Sequence, residues 1–357
     1  MSSDWITYLQ MAPLLAGDST SLSYWLNWRF SLCALIVIVS MCVAAFIIWK
    51  FENSAHSEPD YKRTEQQGSW LWYADEVWRP CVKGIHPICL MTYRIIAFCS
   101  VLTALIVDIT VQGQSMFHYY TQWTFTLVAI YFGFGTLFSI HGCFQHHKSS
   151  TVYISKNNEE DTERGPYASL TCGEALKGVQ EEKSLDYQEK YFVFRSALDC
   201  GHSYQVLFQM TAGAVMLTDC VYWCIIFPFL TAQDYKLSFL TFVEHSMNAI
   251  LILGDTALNG MEISFCMYNV SMQRFPWFRI SYFVLLTGVY VIFEWIVHAS
   301  VSMWWPYPIL DLSQQYAPLW YLIVAVLHLP CYAIFALIVQ AKYYMLSRWF
   351  PQSHGCL

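Results

Sequence analysis

The chain is short of charge. Only 13% of its 357 residues are Asp, Glu, Lys or Arg, about half the roughly 25% of average soluble usage. A soluble globule of this length needs far more charge to cover its surface. The sequence also lacks a basic stripe and carries a net charge of −7, which excludes the electrostatic footprint of a nucleic-acid binder. Disorder is excluded by its opposite, a content of 56% hydrophobic and 18% aromatic residues. There is no phosphate-cradling glycine motif, no Gly-x-Ser-x-Gly elbow and no His-Glu-x-x-His pair. No cofactor is therefore implied, and no internal repeat stands out. The first residues lack the basic start of a signal peptide and the arginines of a transit peptide, since Asp4 and Asp18 precede Arg29.

What the chain has instead is long apolar runs. A hydrocarbon core of ~30 Å needs ~20 mostly apolar residues as a helix. Seven segments meet that test: Phe30–Trp49, Met91–Val111, Thr121–Ile140, Tyr204–Phe229, Phe239–Leu258, Ile280–Ser300 and Leu319–Gln340. They lack the strict alternation of barrel strands, so helices are expected. Pro228 falls at a span end, and Pro330, inside the last span, predicts a kink.

Lys and Arg set the orientation. Seventeen of the 19 basic residues fall on one side of this scheme, leaving only Arg29 and Lys236 on the other. The positive-inside rule then places the N-terminus outside and the C-terminus in the cytosol. The expected fold is all-α, a polytopic bundle of seven transmembrane helices. Residues 1–29 form an exoplasmic segment, 30–345 the membrane domain with cytosolic loops 51–90 and 142–202, and 346–357 a cytosolic tail. All 13 cysteines then lie in spans or on the cytosolic side, so no disulfide framework is expected. The sequon Asn269-Val270-Ser271 is cytosolic too, so no glycan is expected there. Trp70, Trp72, Tyr73 and Trp78 suit a headgroup-level belt. Cys81, His86 and Cys89 do not have zinc spacing.

Ionisable groups at membrane depth cost ~2.5–3.5 kcal/mol each at the span centre and default to a functional hypothesis. Asp108, Asp219, Glu244, His245, Asp255, Glu294, His298 and His328 are such groups, with Asn248 as a neutral companion. In the expected topology Asp108, Glu294, His298, Glu244, His245, Asn248, Thr121 and Thr124 lie in the outer half, with Asp219 nearer the middle. A polar pocket opening from the exoplasmic side is expected. Glu294 and His298 are four residues apart and share a helix face. Asn248 and Asp255 are seven apart and nearly eclipsed, so one stripe of span five faces inward. A carboxylate beside a histidine can orient a general base, and a threonine can serve as nucleophile. The competing reading is that these groups are interhelical glue, worth ~0.6 kcal/mol each on average; His328 and Asp255, apart from the rest, fit it best.

Three stretches, "YYTQWTFTLVAIYFGFG", "FLTFVEHSMNAILILGD" and "EWIVHASVSMWWPYPILD", resemble the plant transmembrane proteins related to the rolling stone protein. These are in turn distantly similar to the androgen-induced membrane hydrolases. The most specific piece runs from Tyr307 to Asp311. The distant hydrolases cleave fatty-acid esters of hydroxy fatty acids with an intramembrane Thr and His pair. The resemblance puts the threonine at Thr121 and the catalytic histidine at Asn248, a departure, with His245 matching a second family histidine. The rolling stone relatives are linked to cell fusion without a defined reaction. The expectation is a multi-pass protein of the secretory-pathway or plasma membrane with a non-enzymatic role and membrane lipids as partners. The alternative is intramembrane hydrolysis of a lipid-like ester, with Thr121 as nucleophile, His245 or His298 as base and Glu294 orienting. A third expectation is a metal site or proton path through His245, Glu294 and His298.

Overall fold

The computed structural model describes residues 19–56, 77–82, 84–160, 200–230, 239–261 and 275–350. Those residues are almost all helical; among them there is no strand, only an isolated bridge between Pro80 and Asn259. After a single turn at Leu22–Trp25 come α1 (Trp28–His56), α2 (Pro87–Gln112) and α3 (Tyr120–Glu160). Next is α4, helical over residues 200–221 and continued by a π-helical turn, Tyr222–Leu230, that contains Pro228. In α5 two α-helical pieces, Phe239–Phe242 and Asn248–Leu258, flank a π-helical turn at Val243–Met247. The last two are α6 (Ile280–Ser300) and α7 (Ala317–Trp349), the latter helical through Pro330.

Among the described residues six helices are long and apolar enough to cross a membrane: α1, α2, α3, α4, α6 and α7. The chain is a multi-pass integral membrane protein on that ground, because in lipid a helix is the simplest way to satisfy every backbone group within one segment. The sequence counts one span more, α5. It is helical over the expected residues but stands outside the six, with acids, a histidine and a π turn in place of an unbroken apolar run. Helix ends also differ from the apolar runs. Helix α3 continues past Ile140 to Glu160 and α1 past Trp49 to His56, since helical hydrogen bonding does not stop where the apolar stretch does. Trp70, Trp72, Tyr73, the sequon and most of loop 142–202 lie outside the described residues.

Local signals explain the ends of α2. The His86 side chain accepts from Ile88 N at 3.3 Å, and Pro87 occupies the first turn, where its missing donor costs nothing. At the other end Gly113 adopts φ +70° while its N–H returns to Ile109 O, the glycine-dependent stop of many helices. A short turn, Gly113–His118, then reverses the chain into α3.

Within the bundle α2 packs on α3, α1 on α6 and α7, and α5 on α2 and α3. Tyr131, Tyr204 and Phe208 stack at 5.0 and 5.3 Å, and Phe208 meets Phe335 edge-on at 5.5 Å, joining α3, α4 and α7. The outward faces are apolar as well: Leu35, Ile38 and Phe46 on α1, Phe134 and Leu137 on α3, and Val326, Leu329 and Leu337 on α7 are exposed. Apolar surface this extensive requires a covering medium, and lipid supplies it. Helix α5 is held closely to α2, because Tyr93 donates to Leu251 O at 2.8 Å and its ring lies over Gly254. A Cβ at Gly254 would sit 2.8 Å from Tyr93 Cζ and nearer still to its hydroxyl. Gly254→Val is expected to destabilise by ~1–3 kcal/mol, the usual cost of overpacking, seen as a lower thermal midpoint in detergent. An unchanged midpoint would mean that α2 and α5 do not approach this closely.

Candidate functional site

Buried polar groups gather at two levels of the bundle. At the end where α2 begins and α5 finishes, Arg94 and Asp255 are both fully buried. Arg94 Nε donates to Asp255 Oδ1 at 2.8 Å, and Nη2 reaches Oδ2 at 3.4 Å. Its Nη1 donates to Val77 O at 2.8 Å and Ser139 Oγ at 2.9 Å. Asp255 also accepts from Tyr131 Oη and from Asn259 Nδ2 at 2.9 Å. Lys342 Nζ extends the network, donating to Asn259 O at 2.7 Å and Oδ1 at 3.1 Å. This cluster ties α2, α3, α5, α7 and the 77–82 segment together. Nearby, burial pushes the Cys81 thiol up, against the pull of Lys342. Every oxygen of Asp255 is satisfied, so the cluster is a latch. Asp255, on the stripe it shares with Asn248 but apart from the outer polar group, is held here by Arg94, Tyr131 and Asn259 and not beside Glu244. Arg94, counted in the sequence among the basic residues of the cytosolic side, turns inward instead.

At the end that carries the α2–α3 turn the arrangement is different. One group centres on Gln122 in the first turn of α3. Its Nε2 donates to Asp108 Oδ2, near the end of α2, and to Glu244 Oε1, near the start of α5, at 3.1 Å. Asn248, fully buried, donates through Nδ2 to Glu244 O at 2.6 Å. His245, next to Glu244 in the π-helical turn, stacks face to face on Tyr222 at 3.6 Å, and Tyr222 opens the π-helical turn of α4. Two π-helical turns in contact are notable, because such turns are rare and frequently mark functional sites.

A second group centres on Glu294 of α6, fully buried. His118 Nδ1, in the α2–α3 turn and 20% exposed, meets Glu294 Oε1 at 3.2 Å. His298 Nδ1 lies 2.8 Å from Glu294 O and 3.5 Å from Oε2, while its ring stacks on Trp305 at 3.7 Å. Beside this group Thr121 Oγ1 is 3.4 Å from Tyr307 Oη. Burial pushes the Tyr307 phenol up to about 12, so it stays protonated at neutral pH and gives Thr121 no base. The Tyr307–Asp311 piece closes this end of the bundle. Tyr24 donates to Asp311 Oδ1 at 2.7 Å while accepting from Trp305 Nε1 and Leu312 N, each at 3.1 Å. Burial, with Asp311 next, drives the Tyr24 phenol well up. Arg29 donates to Ser313 O at 2.6 Å.

The remaining residues divide. Thr124 meets Thr218 at 3.1 Å, joining α3 to α4. His328 meets Thr287 at 2.8 Å, and Thr287 also meets Tyr120 at 2.9 Å, a satisfied contact between three helices. Asp219 is buried, yet neither carboxylate oxygen has a hydrogen-bond partner. Further unpartnered buried atoms at this end are Gln122 Oε1, Asn248 Oδ1, His245 Nδ1 and Glu294 Oε2.

Thr121, His245 and Glu294 thus have three separate sets of neighbours: Tyr307, Tyr222 and the pair His118 and His298. Sequence reasoning missed two central residues. Gln122 carries no charge, and His118 lies outside the spans; the only signal for either was adjacency to Thr121. Among the described residues no group of three or more His, Cys, Asp or Glu side chains is placed to hold a metal ion. Compared with protein-family models, curated proteins and solved structures, the chain matches none.

Proposed function

We propose that the chain is a seven-span protein of the secretory-pathway or plasma membrane, N-terminus outside and C-terminus cytosolic, that binds a polar ligand in the outer half of its bundle without turning it over. The orientation rests on the Lys and Arg distribution, and the seventh span is α5. The observation that carries the binding role is the unequal treatment of buried acids. Asp255 has all its acceptors filled, whereas both oxygens of Asp219 have no hydrogen-bond partner and Glu294 Oε2 has only the loose approach of His298 Nδ1 at 3.5 Å. Glue between helices is satisfied by the helices it joins. An unpaired buried acceptor costs ~1–3 kcal/mol, and a ligand or bound water offsets that cost. The resemblance to rolling stone-related proteins agrees with a membrane role of this kind, with lipids around it.

The alternative, hydrolysis of a lipid-like ester, has Thr121 in a surface-proximal position in its favour. It lacks a base on that hydroxyl, and the family's histidine position holds Asn248. Two measurements test the reading. Tags at each terminus, probed on intact and permeabilised cells, should show the N-terminal tag outside and the C-terminal tag inside; both on one side would remove the seven-span scheme. A serine- and threonine-directed fluorophosphonate should leave the folded protein unlabelled, and Thr121→Ala should change stability by less than ~1 kcal/mol, one modest hydrogen bond. Labelling that Thr121→Ala abolishes would establish the hydrolase instead.

A further inference from the structure

The Gln122 group has a composition that the binding role above does not explain. Two carboxyl groups, Asp108 and Glu244, converge on one neutral amide. Gln122 is only 3% exposed, and its amide presents its nitrogen to both acids while its oxygen has no hydrogen-bond partner. Asn248, one turn along α5 from Glu244, is fully buried and also leaves its side-chain oxygen without a partner. Three helices thus bring two carboxyl groups and one amide to one place, with a second buried amide one turn away along α5. From the geometry we infer that Asp108, Gln122, Glu244 and Asn248 form a site for a hard cation, with calcium the best match.

The chemistry follows from the donor set. Carboxylate and amide oxygens with no nitrogen or sulfur ligand suit calcium, magnesium or sodium rather than zinc or copper. Two carboxylates match a divalent charge. Amide oxygens on long side chains suit the flexible shell of calcium better than the strict octahedron of magnesium, which sheds its waters reluctantly. Gln122 would act as the switch. A half-turn about its last side-chain bond exchanges nitrogen for oxygen. With the nitrogen between the acids the amide bridges them; with the oxygen there, three negative dipoles or charges converge and only a cation makes that arrangement stable. Access is short. Asp108 lies four residues from the end of α2, Gln122 two from the start of α3 and Glu244 five from the start of α5, or about 3–8 Å of helix rise. The site therefore sits near headgroup level. The π-helical turn at Val243–Met247 contributes Glu244 to it.

This inference takes from the proposed function only the idea that the polar groups at this end serve a ligand, and its test reads binding whatever the orientation. The full-length protein, purified in detergent and stripped with a chelator, is heated in calcium, magnesium or sodium chloride at constant ionic strength, with radioactive calcium binding measured in parallel. Saturable binding and a midpoint that rises with calcium are expected, because a ligand that binds only the folded state stabilises it. Glu244→Gln and Gln122→Met should each lower calcium affinity about tenfold or more, in keeping with losses of that size even for residues behind the ligands. Without calcium, Glu244→Gln should unfold above the unsubstituted protein, because one of two facing charges is gone. A saturable rise with sodium or magnesium in place of calcium, lost in Glu244→Gln, would also support a hard-cation site. A flat midpoint in all three salts, or a rise of equal size in Glu244→Gln, would overturn it. Failure here with correct topology leaves the proposed function standing, and the reverse outcome leaves the cation site standing.

Discussion

Arg94→Met should remove about 3–5 kcal/mol of stability, the range for deleting one member of a buried ion pair. A loss of that size approaches the whole stability of a marginal protein, so most of the variant should elute as aggregate on size exclusion, and any folded fraction should melt far below the unsubstituted protein. The reason is the geometry of the latch. Without the guanidinium, Asp255 keeps its bonds from Tyr131 and Asn259 but has a buried charge with no counter-ion, while Val77 O and Ser139 Oγ lose a donor. The double variant Arg94→Met with Asp255→Leu separates charge from packing. Removing both charges should recover much of the folded yield, because a buried pair replaced by apolar groups is often close to neutral. If Arg94→Met alone melts like the unsubstituted protein, Arg94 is not buried against Asp255.

The same residues show where the sequence was legible. A membrane span is a contiguous property, about 20 apolar residues in a row, so six helices could be found without tertiary information. Helix α5 was the hardest because its polar residues serve the interior at two levels. Asn248 and Asp255 do share one stripe, but seven residues of helix rise about 10 Å. One end of the stripe meets the Gln122 group and the other meets the latch. Periodicity gives the face and not the depth. Arg94 falls inside the expected span Met91–Val111 yet counts with the basic residues of the cytosolic side; nothing local says that an aspartate on α5 waits for it. Gln122 and His118 were invisible for a related reason. Charge cost is the sequence-level signal for buried function, and neither a neutral amide nor a loop histidine carries it. Only the Gly113–His118 turn, set by a glycine at positive φ, brings His118 to α6 and Gln122 under Asp108.

Asp219→Leu carries the opposite sign, and the contrast decides what the polar groups at this end are for. Asp219 is buried in α4 about two-thirds of the way from Cys200 to Pro228, and neither of its oxygens has a hydrogen-bond partner. A carboxylate at such a depth costs up to ~2.5–3.5 kcal/mol on the insertion scale, and protonation lowers that cost without supplying a partner. Leucine has similar bulk and no polar atom. Asp219→Leu is therefore expected to raise stability, by up to about 3 kcal/mol if the charge is fully present, read as a higher thermal midpoint and a larger folded yield. Asp219→Asn should raise it less, because the amide is also polar. Interhelical glue predicts the reverse for both, a loss of the kind expected at Arg94. A lower midpoint for Asp219→Leu would thus show that Asp219 holds helices together. A higher one would show a residue kept at the expense of the fold, which is the mark of a group retained for what it binds.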